Sequence, residues 1–180
     1  MMMANKFLLF VLTFFIFTSC TDRWTPDVVE NALGKIPVYA TTSDASTISP
    51  GSPQEIQLLG KIYYKYPYLY AIEISKGIHV INNEDPTTPQ KVKFINVPGI
   101  GDMAIKGNYL FVDNISDLVT IDISDISNIR EVSRIEDACT DGGSKYPLGY
   151  VGYFECPDPD KGIVVGWVDG YIDKPDCYTR

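Results

Sequence analysis

The sequence predicts an all-β fold, an incomplete propeller-like arc of antiparallel blades plus a C-terminal hairpin, placed behind an N-terminal signal peptide. Three observations lead there. From Gln54 onward, short runs rich in Tyr, Ile and Val alternate with clusters of Gly, Asn, Asp and Pro, the rhythm of strands and turns. Two stretches of this region then repeat each other at a spacing of 40 to 41 residues. No long helical pattern interrupts them, and a period of this length built from several short strands is the mark of propeller blades.

The first nineteen residues have another purpose. Lys6 precedes an almost unbroken apolar run from Phe7 to Phe17, which is followed by Thr18, Ser19 and Cys20. A positive start, a short apolar stretch and small residues before the cut are the parts of a secretory signal. The run is too short to span a bilayer as a helix. The pattern resembles a bacterial lipoprotein signal, which implies that Cys20 becomes the first residue, is lipidated and anchors the chain to a membrane in the cell envelope. Phe17 departs from the aliphatic residue usual at its position, which leaves a non-lipid cut open.

Residues 20–53 are expected to be an anchor and flexible linker. Thr25 and Pro26 can cap and start one short helix. From Thr41 to Pro53 the chain is small, polar and broken by two prolines, with little to bury. Without residues 1–19 the chain loses Lys6 and no acid, leaving 14 basic against 23 acidic side chains. Nucleic-acid binding rests on Lys and Arg neutralising phosphates, so this balance, lacking any basic cluster longer than a pair, excludes that class.

Residues 54–137 hold the two repeat units. Pro67-Tyr68-Leu69-Tyr70-Ala71 recurs as Asn108-Tyr109-Leu110-Phe111-Val112, offset by 41, and Ile78-His79-Val80-Ile81-Asn82 recurs as Leu118-Val119-Thr120-Ile121-Asp122, offset by 40. One residue is lost in the connecting turn. In the second unit Val119, Ile121 and Ile123 share one strand face, opposite Leu118, Thr120 and Asp122. Asp85, Asp122 and Asp125 are expected to serve turns, their carboxylates accepting from backbone N–H groups two residues on. Pro86 and Pro89 assist in the first unit.

The stretch Gly107-Asn108-Tyr109-Leu110-Phe111-Val112, followed by Leu118-Val119-Thr120-Ile121-Asp122-Ile123-Ser124-Asp125, resembles the repeat of the LVIVD-repeat proteins. The likeness extends over about residues 60–137. The layout of signal, linker and repeats is similar to a group of exported lipoproteins of Bacteroidota. This resemblance implies a β-propeller on a membrane anchor and no established reaction. Propellers need four to eight blades, and the residues from Gln54 hold three units at most. The expected remedies are a homo-oligomer that completes the ring or a shortened relative without independent function.

Residues 138–180 are expected to form a C-terminal hairpin segment, Tyr150 to Cys156 against Ile163 to Val168, around the turn Asp158 to Gly162. In an exported chain disulfides persist. Cys156 and Cys177 flank this hairpin and are expected to pair, although Cys139 with either partner is not excluded by spacing. The spacings fit no zinc pattern.

The candidate chemistry is sparse. His79 is the single histidine and lies on a strand, without a nucleophile or orienting acid in view. No nucleophile elbow, zinc helix or phosphate loop occurs. Asp102, Asp113 and Asp117 sit near strand ends and are the candidates for a carboxylate pair of a glycan hydrolase. Asp158-x-Asp160-x-Gly162 and Asp137 with Asp141-Gly142-Gly143 resemble parts of calcium loops but lack the closing acid. No cofactor is expected. Tyr63, Tyr64, Tyr66, Tyr68 and Tyr70, with Tyr146, Tyr150, Tyr153, Trp167 and Tyr171, supply either core or contact surface for a protein or glycan. The leading expectation is a non-catalytic, lipid-anchored interaction or scaffold module at the envelope; the rival is the carboxylate-dependent hydrolase.

Overall fold

The computed structural model describes residues 30–139 and 145–180. The signal segment, Cys20, the helix expected from Thr25, and Asp141 to Gly143 lie outside the described residues.

The first described element departs from the expected linker. β1 (Ala32–Ala40) is a nine-residue strand, followed by the single-turn helix α1 (Thr42–Ser46) and the short strand β2 (Ser49–Gly51). Thr41 caps α1, its Oγ1 accepting from Asp44 N–H at 3.1 Å. The remaining anchors are backbone carbonyls. Ala45 O accepts from Asn114 Nδ2 at 2.9 Å, Ser46 O from Arg134 Nη2 at 2.9 Å, and Thr47 O from Asn96 Nδ2 at 3.3 Å. Every peptide carries such acceptors whatever its side chain, so a composition that reads as a linker is fixed by donors supplied from distant strands.

Two sheets correspond to the two repeat units. In the first, β3 (Leu59–Lys65), β4 (Tyr68–Glu73), β5 (Gly77–Asn82) and β6 (Gln90–Asn96) form an antiparallel meander extended by β2, in the order β2-β6-β5-β4-β3. In the second, β7 (Met103–Lys106), β8 (Tyr109–Asn114), β9 (Asp117–Asp122) and β10 (Arg130–Ile135) form the meander β10-β9-β8-β7. The edge strands β3 and β7 are adjacent, and Lys61 Nζ of β3 reaches Asp102 Oδ2, just before β7, at 2.6 Å.

The core lies between these two sheets, and its side chains come from opposite strand faces in the two units. The first contributes Tyr70, Ile72, Ile78 and Val80, the second Leu110, Val112, Val119 and Ile121. Pairing aligns Tyr68 with Tyr109, opposite Asn82 and Asp122 respectively. By that alignment Leu110 and Val119 correspond to Leu69 and His79, not to Tyr70 and Val80. A one-position change exchanges faces in a strand. The front of one blade therefore packs on the back of the other, as blades stack around a propeller.

The strand ends are tied down in an equivalent way. Glu73, which ends β4, accepts from Gln57 N–H at 3.0 Å and Leu58 N–H at 2.6 Å, in the segment leading into β3. Asn114, which ends β8, donates from Nδ2 to Pro98 O at 2.7 Å, in the connection leading into β7. The turn carboxylates act locally. Asp85 Oδ1 accepts from Thr87 N–H at 2.9 Å, Asp122 Oδ1 from Ser124 N–H at 3.0 Å, and Asp125 Oδ1 from Ser127 N–H at 2.8 Å.

The third sheet corrects the expected C-terminal hairpin. β11 (Gly152–Phe154) and β12 (Ile163–Ile172) are not partners; the order is β12-β1-β11-β13, with β13 being Cys177–Thr179. β1 runs antiparallel to β12 from Ala32 opposite Ile172 to Ala40 opposite Ile163, and parallel to β11. The longest apolar strand of the C-terminal segment thus pairs with the N-terminal strand, which offers a longer partner than three-residue β11. Cys156 and Cys177 form a disulfide beside the β11–β13 ladder, with Cα atoms 5.4 Å apart. Cys139 is a free thiol, and burial pushes its pKa up. Gly34 makes the central position of β1 feasible, since a Cβ there would meet Tyr153 O at 2.4 Å and Ile172 Cδ1 at 2.6 Å.

Candidate functional site

The three sheets meet at a cleft of about 300 Å³. Its walls come from one end of each repeat unit. The first unit contributes Ile74 and Ser75 of the β4–β5 turn, the connection contributes Gly99 to Gly101, and the second unit contributes Asp113 and Ile115 at the β8–β9 turn. The third sheet closes the cleft with Lys35, Gly166 and Trp167, and Leu148 and Tyr150 lie at its rim.

Both blade turns carry a left-handed residue, Ser75 with φ 65° and Ile115 with φ 63°. A β-branched residue in this region is sterically disfavoured and persists only where its surroundings fix it. Here Gly99 yields the space: at φ +74°, a Cβ on it would lie 2.7 Å from Ile115 Cγ1.

Asp113 is the carboxylate of the cleft. Its Oδ1 accepts from Gly101 N–H and Asp102 N–H, both at 2.8 Å. Among the described residues its Oδ2 takes no hydrogen bond. Burial is the largest influence on this carboxyl and pushes its pKa up, with the neighbouring Asp102 adding to the rise and the backbone donors opposing it. Lys35 is committed elsewhere, its Nζ 2.7 Å from Asp169 Oδ1 and 5.5 Å from the centre of the Tyr150 ring. Trp167 meets Phe154 edge-on at 5.6 Å between ring centres.

The other two candidate acids are paired with cations, Asp102 beside Asp113 with Lys61, and Asp117 with Arg134. Asp102 pairs with Lys61 and accepts from Met103 N–H at 2.7 Å; the Lys61 hydrogen bond holds its carboxyl below the usual range. Asp117 binds Arg134 Nη1 at 2.7 Å through Oδ2 and Asp137 N–H at 3.1 Å through Oδ1. Arg134 also reaches Glu131, Asn114 and the Ser46 carbonyl, so this cluster fastens β10, β8 and α1 together. Its members are scattered over 88 positions of the chain, which left no local signal in the sequence.

His79 is wholly buried, with Nε2 3.0 Å from Glu73 Oε2 and its ring edge-on to Phe94. It thus has an orienting acid but no access to a substrate. Its Nδ1 is buried without a partner among the described residues. Asp158 Oδ1 accepts from Asp160 N–H at 3.0 Å in a single 3-10 turn. Among the described residues no group of three or more His, Cys, Asp or Glu gathers as metal ligands would.

The tyrosines divide between two roles. Tyr70 is core, and burial pushes its pKa up to about 12. Tyr63, Tyr64 and Tyr66 are exposed on or just beyond β3, an edge strand of its sheet.

Residues 100–137 match the family model of the LVIVD repeat. The matched span opens in the cleft at Ile100 and ends just past β10, so this LVIVD repeat is the second sheet together with the Gly101-Asp102 donors that hold Asp113. No curated protein and no solved structure matches the chain.

Proposed function

We propose that this chain is a non-catalytic binding module of the cell envelope, held at the membrane through Cys20, with the three-sheet cleft as its recognition site. The observation that carries this reading is the cleft itself: mostly apolar walls, one carboxylate with an uncommitted oxygen, and two strained turns, one from each repeat unit. Strain of this kind collects at ligand sites, and a largely apolar concavity with few oriented polar groups is the usual form of one. The lipoprotein-like signal, with its likeness to exported Bacteroidota lipoproteins, supports the envelope as the place of action.

A glycan hydrolase needs a second carboxylate across the cleft from the first. Among the described lining residues Asp113 is the one acid, and Asp102 and Asp117 are spent on Lys61 and Arg134. This favours binding over hydrolysis.

A photo-crosslinking residue placed at exposed Leu148 tests the reading in cells. A discrete adduct in the membrane fraction is expected, abolished when the same residue is placed instead at Glu84, on the β5–β6 turn. Equal labelling from both positions, or none from Leu148, would overturn the cleft as the recognition site.

A further inference from the structure

We propose that the cleft docks a lysine side chain presented among apolar residues of a partner polypeptide, its ammonium meeting Asp113 Oδ2. This rests on the cleft being the recognition site and adds the chemistry of what enters it.

The polar inventory of the cleft selects the ligand. Asp113 Oδ1 is saturated by Gly101 and Asp102 N–H, which fixes the carboxylate and leaves Oδ2 as the free acceptor. Around it stand Leu58, Ile74, Ile115 and Leu148, which can match only apolar surface, and besides the paired Lys35 the other polar side chains of the lining are Ser75, Tyr150 and Trp167. A sugar would bring many hydroxyl groups and find few partners, and each hydroxyl stripped of water without replacement costs about 1–3 kcal/mol. A ligand with one cationic tip and an apolar stem loses nothing comparable. A lysine side chain has that form, with a four-carbon stem that buries along apolar surface and a charged head that seeks an oxygen.

Charge points the same way. A half-buried carboxylate among aliphatic walls attracts a cation more strongly than the same group in water. The resident cations Lys35 and Lys61 do not satisfy it, because their Nζ atoms are paired with Asp169 at 2.7 Å and with Asp102 at 2.6 Å. The aromatic ring of Trp167 adds a surface that tolerates a passing ammonium. A cleft of about 300 Å³ takes one lysine side chain with part of an apolar neighbour on either side. Leu58 and Leu148, 60% and 62% exposed, are the surfaces those neighbours would cover.

Titration calorimetry of the purified chain with two capped peptides, acetyl-Leu-Lys-Leu-amide and acetyl-Leu-norleucine-Leu-amide, tests this. The lysine peptide is expected to bind at least ~10-fold tighter, the size of one charge-assisted contact. Asp113→Asn, which keeps the Oδ1 acceptor, should abolish that preference while still melting cooperatively. Leu148→Ser should weaken both peptides alike. Equal affinity for the two peptides, a preference that survives in Asp113→Asn, or no binding of either would overturn the inference. Binding of hexylamine but of neither peptide would overturn the polypeptide partner and leave a small-amine site. Loss of the lysine preference with persistent crosslinking from position 148 would reject this ligand alone; loss of both would reject the cleft.

Discussion

Removing the Glu73 carboxylate should be among the most damaging single changes in this protein. Glu73 is 2% exposed, and its oxygens accept from Gln57 N–H at 3.0 Å, Leu58 N–H at 2.6 Å and His79 Nε2 at 3.0 Å. Burial alone would raise its pKa, but these donors outweigh it and hold the carboxyl below its ordinary value of 4.5. In Glu73→Ala two backbone N–H groups and a buried imidazole lose their acceptor together. Leaving a buried donor without its acceptor costs about 1–3 kcal/mol, and bonds to a charged group are worth about 1.5–3 kcal/mol each without being additive. We expect a loss of about 4 kcal/mol, which at ~2–4 °C per kcal/mol for a chain of this size lowers Tm by roughly 10 °C. Glu73→Gln keeps one acceptor oxygen and should lose about half as much. Because the folded pKa is depressed, the stabilisation is complete above the ordinary value and fades as pH falls through the folded one, so the gap between wild type and Glu73→Ala should narrow in acid. Calorimetric melts at pH 7 and pH 3 measure both effects, and hydrogen exchange should show the Gln57 and Leu58 amides deprotected in the variant. A Glu73→Ala protein melting within about 2 °C of wild type at pH 7 would refute the reasoning.

Other parts of the molecule give independent tests. Gly34→Ala forces a methyl group against Tyr153 O and Ile172 Cδ1, and should cost at least about 1–3 kcal/mol in a denaturant titration, whereas the change would be tolerated if the N-terminal segment were a free linker. Replacing Cys156 and Cys177 together by Ser releases a disulfide of sequence separation 21 and should cost about 3 kcal/mol; an unchanged melting temperature would show that the third sheet does not depend on it. Asp113→Asn should raise Tm at pH 7 and leave it unchanged at pH 3. Burial raises the Asp113 pKa, so the penalty of its charge is absent below its ordinary value of 3.8 and complete above the raised folded value. Cys20→Ala should release the chain from the membrane fraction; retention in that fraction, followed by immunoblotting, would reject the anchor.

The legible parts of the fold were those written into short stretches of chain. Alternation in Leu118 to Ile123 marks the buried face, and Val119, Ile121 and Ile123 are all core. The forty-residue period marks two sheets of like order. The Cys156–Cys177 bridge was legible because its cysteines flank one local segment. The errors arose where the partner is distant. The run from Ala32 to Ala40 contains Gly34 and Pro37 and shows no clean alternation, so nothing in it announces a strand held between β11 and β12. The small polar residues after it gave no sign of α1, because what fixes them is the Asn114 and Arg134 side chains acting on backbone carbonyls.

The candidate site was legible only as a set of unrelated residues. Asp113 was one of three equivalent acids near strand ends. What distinguished it was the approach of Gly101 and Asp102, whose N–H groups take one oxygen, and of the third sheet, which supplies the facing wall of the cleft. Trp167 and Lys35 stood far from it in the chain. By itself the sequence determined the β class and the repeat and favoured the local disulfide, because each depends on spacing along the chain. The tertiary structure decided the partner of β1, the exchange of core faces between the two blades, and the cleft, because each depends on which distant surfaces meet, and burial is shared between surfaces rather than carried by either one.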